Sequence, residues 1–412
     1  MHVLFVHRAF PAQFGRVALE LTRRHGWTCS FLIEHLSRCP SPSPDMLQRL
    51  HLYTLPRPDA GRPEAPPPWP QTYGHALERA RAVAEAVRAR PELRPDLVVG
   101  HGGLVPTLLL REAVDCPIVD FCEYYFALRG RDLTYRLDLP PAEPSPFFPR
   151  CVNAASLASL EACDAAYAPT RWQRDAFPVR FRPKIAVCPD GVDTDLYRPG
   201  PTPRVVGGRP LPPGARVVTF VARGLESMRG FDLFLRAAGE IARRRPDVVF
   251  AVAGEEATHY GWDLLHTGGQ SFKQWAVGRG DYDLSRFVFL GHVEPEVLAD
   301  VLRLSDLHVY WSVPFVVSWS LLNAMATGCV VLAADTEPAR EFIDPGQNGL
   351  LEPFFDVDRF VETACRVLDD PAAFRPLSAS ARRLLEENYG IDAATPVLKA
   401  FLERVAAAGR RA

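Results

Sequence analysis

Short apolar, β-branched runs alternate with longer amphipathic segments through most of the chain, the pattern of strands and helices in parallel α/β layers. In the first half, strands are predicted near His2–His7, Thr28–Ile33, Arg49–Leu55, Asp96–Gly100, Pro117–Phe121, Ala165–Ala168 and Lys184–Cys188. Helices such as QFGRVALELTRRHG and QTYGHALERARAVAEAVRAR lie between them. After DGVDTDLYRPG, the Pro- and Gly-rich stretch PTPRVVGGRPLPPGA reads as a linker. Alternation then resumes with the strand RVVTFVA, a helix from about Arg229 to Arg245, and strands at VVFAVAG, RFVFLG, DLHVYW and CVVLAA. The strand approach RPDLVVG of the first half is echoed by RPDVVFAVAG in the second, as expected of two similarly built domains. The predicted domains are 1–200 and 215–388, with a final helix in 389–412. Ligands of such sheets sit at the carboxyl ends of the strands, so two facing sheets would create one cleft between domains. Irregular loops are expected at PRPDAGRPEAPPPWP and from Ala127 to Pro149, either as functional loops at the cleft mouth or as surface excursions.

Composition narrows the partners. The chain has 412 residues, 47% hydrophobic and 23% charged, enough for two or three domains with large cores. A formal net charge of -2 offers no basic excess for nucleic acid or an anionic membrane, so a small partner is expected. Lys184, Lys273 and Lys399 are the only lysines among many arginines, and 39 prolines accompany them, a bias that fits a GC-rich bacterial genome. The nine cysteines are scattered without a C-x-x-C pair and read as reduced core residues of a cytoplasmic protein. MHVLFVHRAF is too short an apolar run for a signal peptide or membrane anchor and reads as a first strand.

Candidate chemistry starts in VARGLESMRGFDLFLRAAGEIA. Arg223 follows a strand directly and Arg229 stands just before a helix, with Gly224 and Gly230 beside them. Two guanidiniums at a strand end and a helix N-terminus suit a diphosphate, although a solvated surface pair has the same spacing. A second helix opens near Ser318, where free N–H groups and the dipole favour an anion. Its periodicity assigns Trp319, Leu322 and Ala326 to the core and Ser320, Asn323 and Thr327 to another face.

The order and spacing of FVHRAFPAQFGRVALEL, PDLVVGHGG, SLEACDAAYAPTRWQRDAFP, DGVDTDLYRP, FVARGLESMRGF, FLGHVEPEVLADVLRLSDLHVY, FVVSWSLLNAMATGCVVLAADTEPAREFI and NGLL resemble a known family almost end to end. The chain is similar to the retaining, nucleotide-sugar-dependent glycosyltransferases of family 4, or group 1, and within it to a subgroup with an FPxQF N-terminus and a PFVxSWSLL motif. The resemblance implies a GT-B fold: two facing Rossmann-like parallel-sheet domains, with the donor cleft between them. It implies that Arg223 and Arg229 hold the donor diphosphate and that His101 lies near the reaction centre. It further implies that Gly15 belongs to a loop approaching the donor phosphates, that the base rests on the backbone of Gly291, His292 and Val293, and that Phe315, Val316, Val317 and Ser318 meet phosphate and sugar. For His101 the residues alone favour a strand-end histidine; the resemblance favours the site.

Relatives usually carry two glutamates with seven residues between them, the first touching sugar hydroxyls and the second the ribose. Phe315 and Asn323 occupy those positions here; the resemblance implies that Phe is normal at the first position in relatives that share the PFVxSWSLL motif, so the departure is Asn323 at the ribose contact. A neutral hydrogen bond in place of a charged one costs on the order of 1 kcal/mol, several-fold in affinity, so Asn323 reads as a retuned ribose ligand. The chemistry attributed to the family, attack on the leaving-group face with the departing phosphate taking the proton, relies on positioning and charge stabilisation and needs no ribose carboxylate. Asp193–Asp195 resembles a D-x-D metal site but lies in a post-strand loop, and Glu255, Glu256 and His259 lack a defining spacing; no metal or cofactor is expected. The implied activity is transfer of a sugar from a nucleoside-diphosphate sugar to a glycan, lipid-linked or small-molecule acceptor hydroxyl with retention. The alternative is a catalytically silent GT-B protein that regulates another glycosyltransferase.

Overall fold

The computed structural model describes residues 1–36, 49–54, 69–139 and 147–410. Most of PRPDAGRPEAPPPWP and the middle of the Ala127–Pro149 region fall outside the described residues. The chain divides into two compact units. The first holds the described residues up to 128, 147–191 and 392–410; the second holds 129–139 and 192–391.

Seven strands build the first unit: β1 (His2–Phe10), β2 (Thr28–Leu36), β3 (Leu50–Leu52), β4 (Leu97–Gly100), β5 (Ile118–Phe121), β6 (Ala165–Ala168) and β7 (Ile185–Val187). They pair in parallel in the order β3-β2-β1-β4-β5-β6-β7. The packing explains why β1 is apolar at successive positions. Val3 and Phe5 join Phe14 and Leu21 of helix Phe14–His25, and Leu398 and Phe401 of helix Ile391–Ala408, in one core cluster. Leu4 and Val6 enter another with Val83 and Val87 of helix Trp69–Arg88. A strand covered on both faces has no solvent side to mark with polar residues.

The second unit opens with a small antiparallel hairpin, β8 (Val205–Val206) and β9 (Arg209–Pro210). Six parallel strands follow: β10 (Arg216–Gly224), β11 (Val248–Glu255), β12 (Phe287–Gly291), β13 (Leu307–Tyr310), β14 (Val331–Ala334) and β15 (Leu350–Glu352). Their order is β12-β11-β10-β13-β14-β15. The hairpin corrects the linker reading, because Val206 is fully buried against Val217, Ala251 and Val301. The echoed RPD segments are not equivalent either: one leads into β4 and the other into β11, which occupies the place that β2 holds in the first sheet.

In each sheet the order reverses beside the first strand, between β1 and β4 and between β10 and β13. Loops leaving such neighbours diverge and open a crevice at the carboxyl ends, so residues just after these strands are placed to meet a ligand. After β10 the chain makes a short 3-10 turn, Ser227–Arg229, and enters helix Phe231–Arg244 through Gly230 at φ 62°. A Cβ on Gly230 would lie 2.8 Å from the Trp311 carbonyl oxygen, so conformation and space both require glycine. The helix is anchored by the buried Phe231, Phe234, Leu235, Ala238 and Ile241, its apolar stripe, with roughly 1.5–3 kcal/mol from each large side chain.

Candidate functional site

At the carboxyl end of the second sheet lies a buried cation. Arg229 is 5% exposed, and its Nη1 donates to Ser312 Oγ at 2.7 Å and to the Val316 carbonyl at 3.2 Å. Its guanidinium lies 5.2 Å from the Tyr260 ring centre and 5.7 Å from that of Phe315. The two rings are themselves 5.1 Å apart. No carboxylate pairs with Arg229 among the described residues, and its buried Nε has no hydrogen-bond partner there. A guanidinium taken out of water without a counter-ion is costly, which makes the place favourable for an incoming anion. Arg223, exposed at the end of β10, approaches the same Tyr260 ring at 6.0 Å, with Nη1 3.5 Å from the hydroxyl. Tyr260 is thus common ground for both predicted arginines.

Phe315 therefore faces Arg229 and Tyr260, at the position that the resemblance matched to a glutamate. Its neighbour Val316 supplies the carbonyl that holds Arg229. Ser318 caps helix Trp319–Thr327, accepting from Ser320 N, while its own N–H donates to the Tyr310 hydroxyl at 3.1 Å. That amide is already engaged, as is Phe231 N, which donates to the Glu226 carbonyl. Trp319 corrects the predicted helix face: it is 47% exposed, while Ser320, Leu321, Ala324 and Met325 are buried. The helix approaches its sheet one position round from where the pattern put it, because apolar residues at 319, 321, 322, 324, 325 and 326 fall on nearly every side and leave the stripe ambiguous. Asn323 is half-buried, and its side-chain amide has no partner among the described residues. Gly291 adopts φ 64°, His292 is half-exposed with Nδ1 3.7 Å from Glu255 Oε1, and Glu255 also meets His259 Nε2 at 2.9 Å. The Val293 segment leads on to helix Pro295–Arg303. Asp193 accepts from Leu196 N at 2.9 Å, so its carboxylate supports a local turn.

Two acids that the sequence reading did not single out hold this region together. Glu226 has no exposed surface, and its Oε2 accepts from the backbone N–H groups of His259 at 2.7 Å and Tyr260 at 2.8 Å. Burial pushes its carboxyl up to about 8 against the opposing amide bonds and nearby Arg229, so it is largely protonated at neutral pH. Asp263, whose carboxyl burial also raises, accepts from Ser227 N at 2.9 Å and from Ser227 Oγ. Glu226 stands between the two arginines in RGLESMRG, a signal visible in the sequence. Tyr260 and Asp263 carry no local signal, since their place depends on a distant loop.

In the first unit, His101 follows β4 and is 1% exposed. Its Nδ1 accepts from Leu104 N at 3.3 Å, which leaves the proton on Nε2, 3.2 Å from Glu123 Oε2. Both ring nitrogens are thus occupied. The ring packs 5.2 Å from His7 and 5.1 Å from Phe121. Burial lowers His7 to about 3, helped by His101, so His7 is neutral. For Glu123, burial acts upward, but hydrogen bonds from His101 and Gln13 prevail and hold it below the usual range. Gln13 precedes Gly15, whose N–H donates to the Pro11 carbonyl and where a Cβ would lie 2.2 Å from Pro11 Cβ. His101 and the Gly15 loop are in this way joined through Glu123. The outward polar group of this strand end is the half-buried Glu123 rather than the histidine.

The architecture is that of a GT-B protein. The solved sucrose-phosphate synthase of Thermosynechococcus elongatus superposes with a TM-score of 0.73 at 17% identity, covering 99% of this chain and 100% of that one. WaaG, a glycosyltransferase involved in lipopolysaccharide biosynthesis, gives 0.69 at 16% identity, over 97% of this chain and 99% of that one. Anabaena Alr3699/HepE in complex with UDP and glucose gives 0.68 at 14% identity, over 98% of this chain and 100% of that one. The family described as glycosyl transferase family 4 group matches residues 26–197, and the one described as glycosyl transferases group 1 matches residues 215–370. The two matches lie one in each half of the chain, both to glycosyltransferase family descriptions, on a GT-B fold. Among curated relatives, the D-inositol 3-phosphate glycosyltransferase of Rhodococcus erythropolis (strain PR4 / NBRC 100887) is 30% identical over 207 residues, 49% of this chain and 45% of that protein. The phosphatidyl-myo-inositol mannosyltransferase of Mycolicibacterium smegmatis (strain ATCC 700084 / mc(2)155) is 26% identical over 213 residues, 48% of this chain and 46% of that protein. The chain thus spans a little under half the length of the curated relatives it matches. No described helix is long and apolar enough to cross a membrane.

Proposed function

We propose that the protein transfers a sugar from a nucleoside-diphosphate sugar to an acceptor hydroxyl with retention of anomeric configuration. The observation that carries this reading is Arg229: a buried guanidinium against two neighbouring aromatic rings, at the switch point of the second sheet, with no carboxylate partner among the described residues. A diphosphate supplies the missing charge. Arg223, exposed on the same tyrosine, adds a second cation, and charge developing on the departing diphosphate strengthens both contacts as the glycosidic bond breaks. Retention is what the family resemblance implies, and a site in which positioning and charge stabilisation carry the reaction is compatible with it. His101 acts by orienting Glu123 at the carboxyl end of the first sheet, and Asn323 takes the ribose contact. A uridine donor is the first choice, because a solved neighbour holds UDP and glucose.

The test is a thermal-shift titration with UDP, GDP, ADP, dTDP and CDP, alongside Asn323→Glu. One nucleotide at a hundred times its dissociation constant is expected to stabilise the protein by about 2.7 kcal/mol. Asn323→Glu is expected to bind the same nucleotide several-fold more tightly. If none stabilises the natural protein while one stabilises the variant, the donor site has been lost and the regulatory reading replaces this one.

A further inference from the structure

Two loops meet at the buried arginine, and each sends a carboxyl group into the other. From the loop after β10, Glu226 accepts from the amides of His259 and Tyr260. From the loop after β11, Asp263 accepts from the amide and hydroxyl of Ser227. Both acids are buried. Ordinary loops reach solvent, where water satisfies their amides; buried carboxyl groups spent on four backbone and hydroxyl donors are an expensive way to hold a surface turn. What these bonds hold is the Tyr260 ring, which lies against both Arg223 and Arg229. Burial also keeps Glu226 from serving as the counter-ion of Arg229, since its carboxyl is largely uncharged at neutral pH.

We infer that Glu226 is a positioning residue of the anion site: by taking the His259 and Tyr260 amides, it sets the aromatic shelf that aims the two guanidiniums at a nucleoside diphosphate. Asp263 completes the staple from the other side. The inference rests on the donor-binding reading above. Glu226 touches no ligand itself; it acts through Tyr260, and no motif of the resemblance assigns it a role.

The experiment compares Glu226→Gln, Glu226→Ala and Tyr260→Ala, each alone and the two alanines combined. UDP affinity is measured by calorimetry, and amide hydrogen exchange across 255–266 is followed in the ligand-free protein. Glu226→Gln keeps a carbonyl where the two amides are accepted and should bind UDP within about twofold of the natural protein. Glu226→Ala and Tyr260→Ala should each weaken binding roughly tenfold, and the double variant no further than the weaker single, because both remove one shelf. Exchange at His259 and Tyr260 should accelerate in Glu226→Ala and stay slow in Glu226→Gln. Where Glu226→Ala does not fold, Glu226→Asp, one methylene shorter, carries the same expectations. Natural affinity in the folded alanine or aspartate variant, or losses that add in the double variant, would overturn the inference. Failure of the natural protein to bind any nucleoside diphosphate would sink the donor reading, whereas the exchange pattern judges the staple separately.

Discussion

Arg136 and Arg229 are two buried arginines of the same unit with opposite surroundings. Arg136, 3% exposed, is held by both carboxylates of Asp138 and Asp232 and donates to the Ser227 carbonyl at 3.0 Å. Arg229, 5% exposed, has one hydroxyl, one carbonyl and two aromatic faces. One charge is neutralised inside the fold and the other is not. The difference teaches how a structural cation is told from a ligand-binding one where both are equally hidden: by the counter-ion, not by exposure. Arg136 belongs to the segment 129–139, which also donates from Asp132 N to the Pro314 carbonyl at 3.1 Å. It thereby supports the turns on either side of Arg229.

The largest effect is expected where the charge is fully paired. Arg136→Ala strands the mostly buried Asp232 carboxylate, while half-exposed Asp138 turns to water, and should lower unfolding stability by about 3 kcal/mol in denaturant titrations. A loss below about 1 kcal/mol would break the contrast. Arg229→Ala leaves no carboxylate stranded; it should weaken nucleoside-diphosphate binding by roughly 100-fold, the equivalent of about 2.7 kcal/mol, with a much smaller change in unfolding midpoint. Calorimetry and thermal melts together separate the two arginines.

A smaller and sharper test uses pH. The Glu226 carboxyl is raised from 4.5 to about 8 on folding, so between those values the native state holds a proton that the unfolded chain releases. Its contribution to stability is complete below about pH 4.5 and is lost as pH rises through about 8, with a slope of at most about 1.4 kcal/mol per pH unit. Glu226→Gln should flatten that part of the stability profile. Ionised Glu226 also gives Arg229 a nearby negative charge, so nucleotide affinity should fall above about pH 8 in the natural protein and not in the glutamine variant.

Much of this was legible beforehand. The strands were readable because those covered on both faces are unbroken apolar runs, as in Val3–Val6 of β1 and in β14; Arg223 was readable because a cation directly after such a run lies at a strand end, and Arg229 because it stands just before a helical pattern. The PTPRVVGGRPLPPGA stretch misled because prolines and glycines mark a break, yet two valines between them suffice for a hairpin that buries Val206. Trp319 misled because nothing local says which side of a short helix meets its sheet. Tyr260 and Asp263 were invisible for a similar reason: their neighbours, more than thirty residues earlier in the chain, are supplied by folding.

The sequence by itself determined the two α/β layers, the placement of Arg223 at a strand end and of Arg229 just before a helix, and the presence of Asn323 where the resemblance implies a glutamate, because periodicity and residue identity are local properties. Only the tertiary structure decided that Arg229 lacks a counter-ion while Arg136 has two, that both nitrogens of His101 are taken, and that Glu226 is held largely protonated. Charge state and hydrogen-bond supply depend on burial and on which distant groups arrive, and those exist only once the chain has folded.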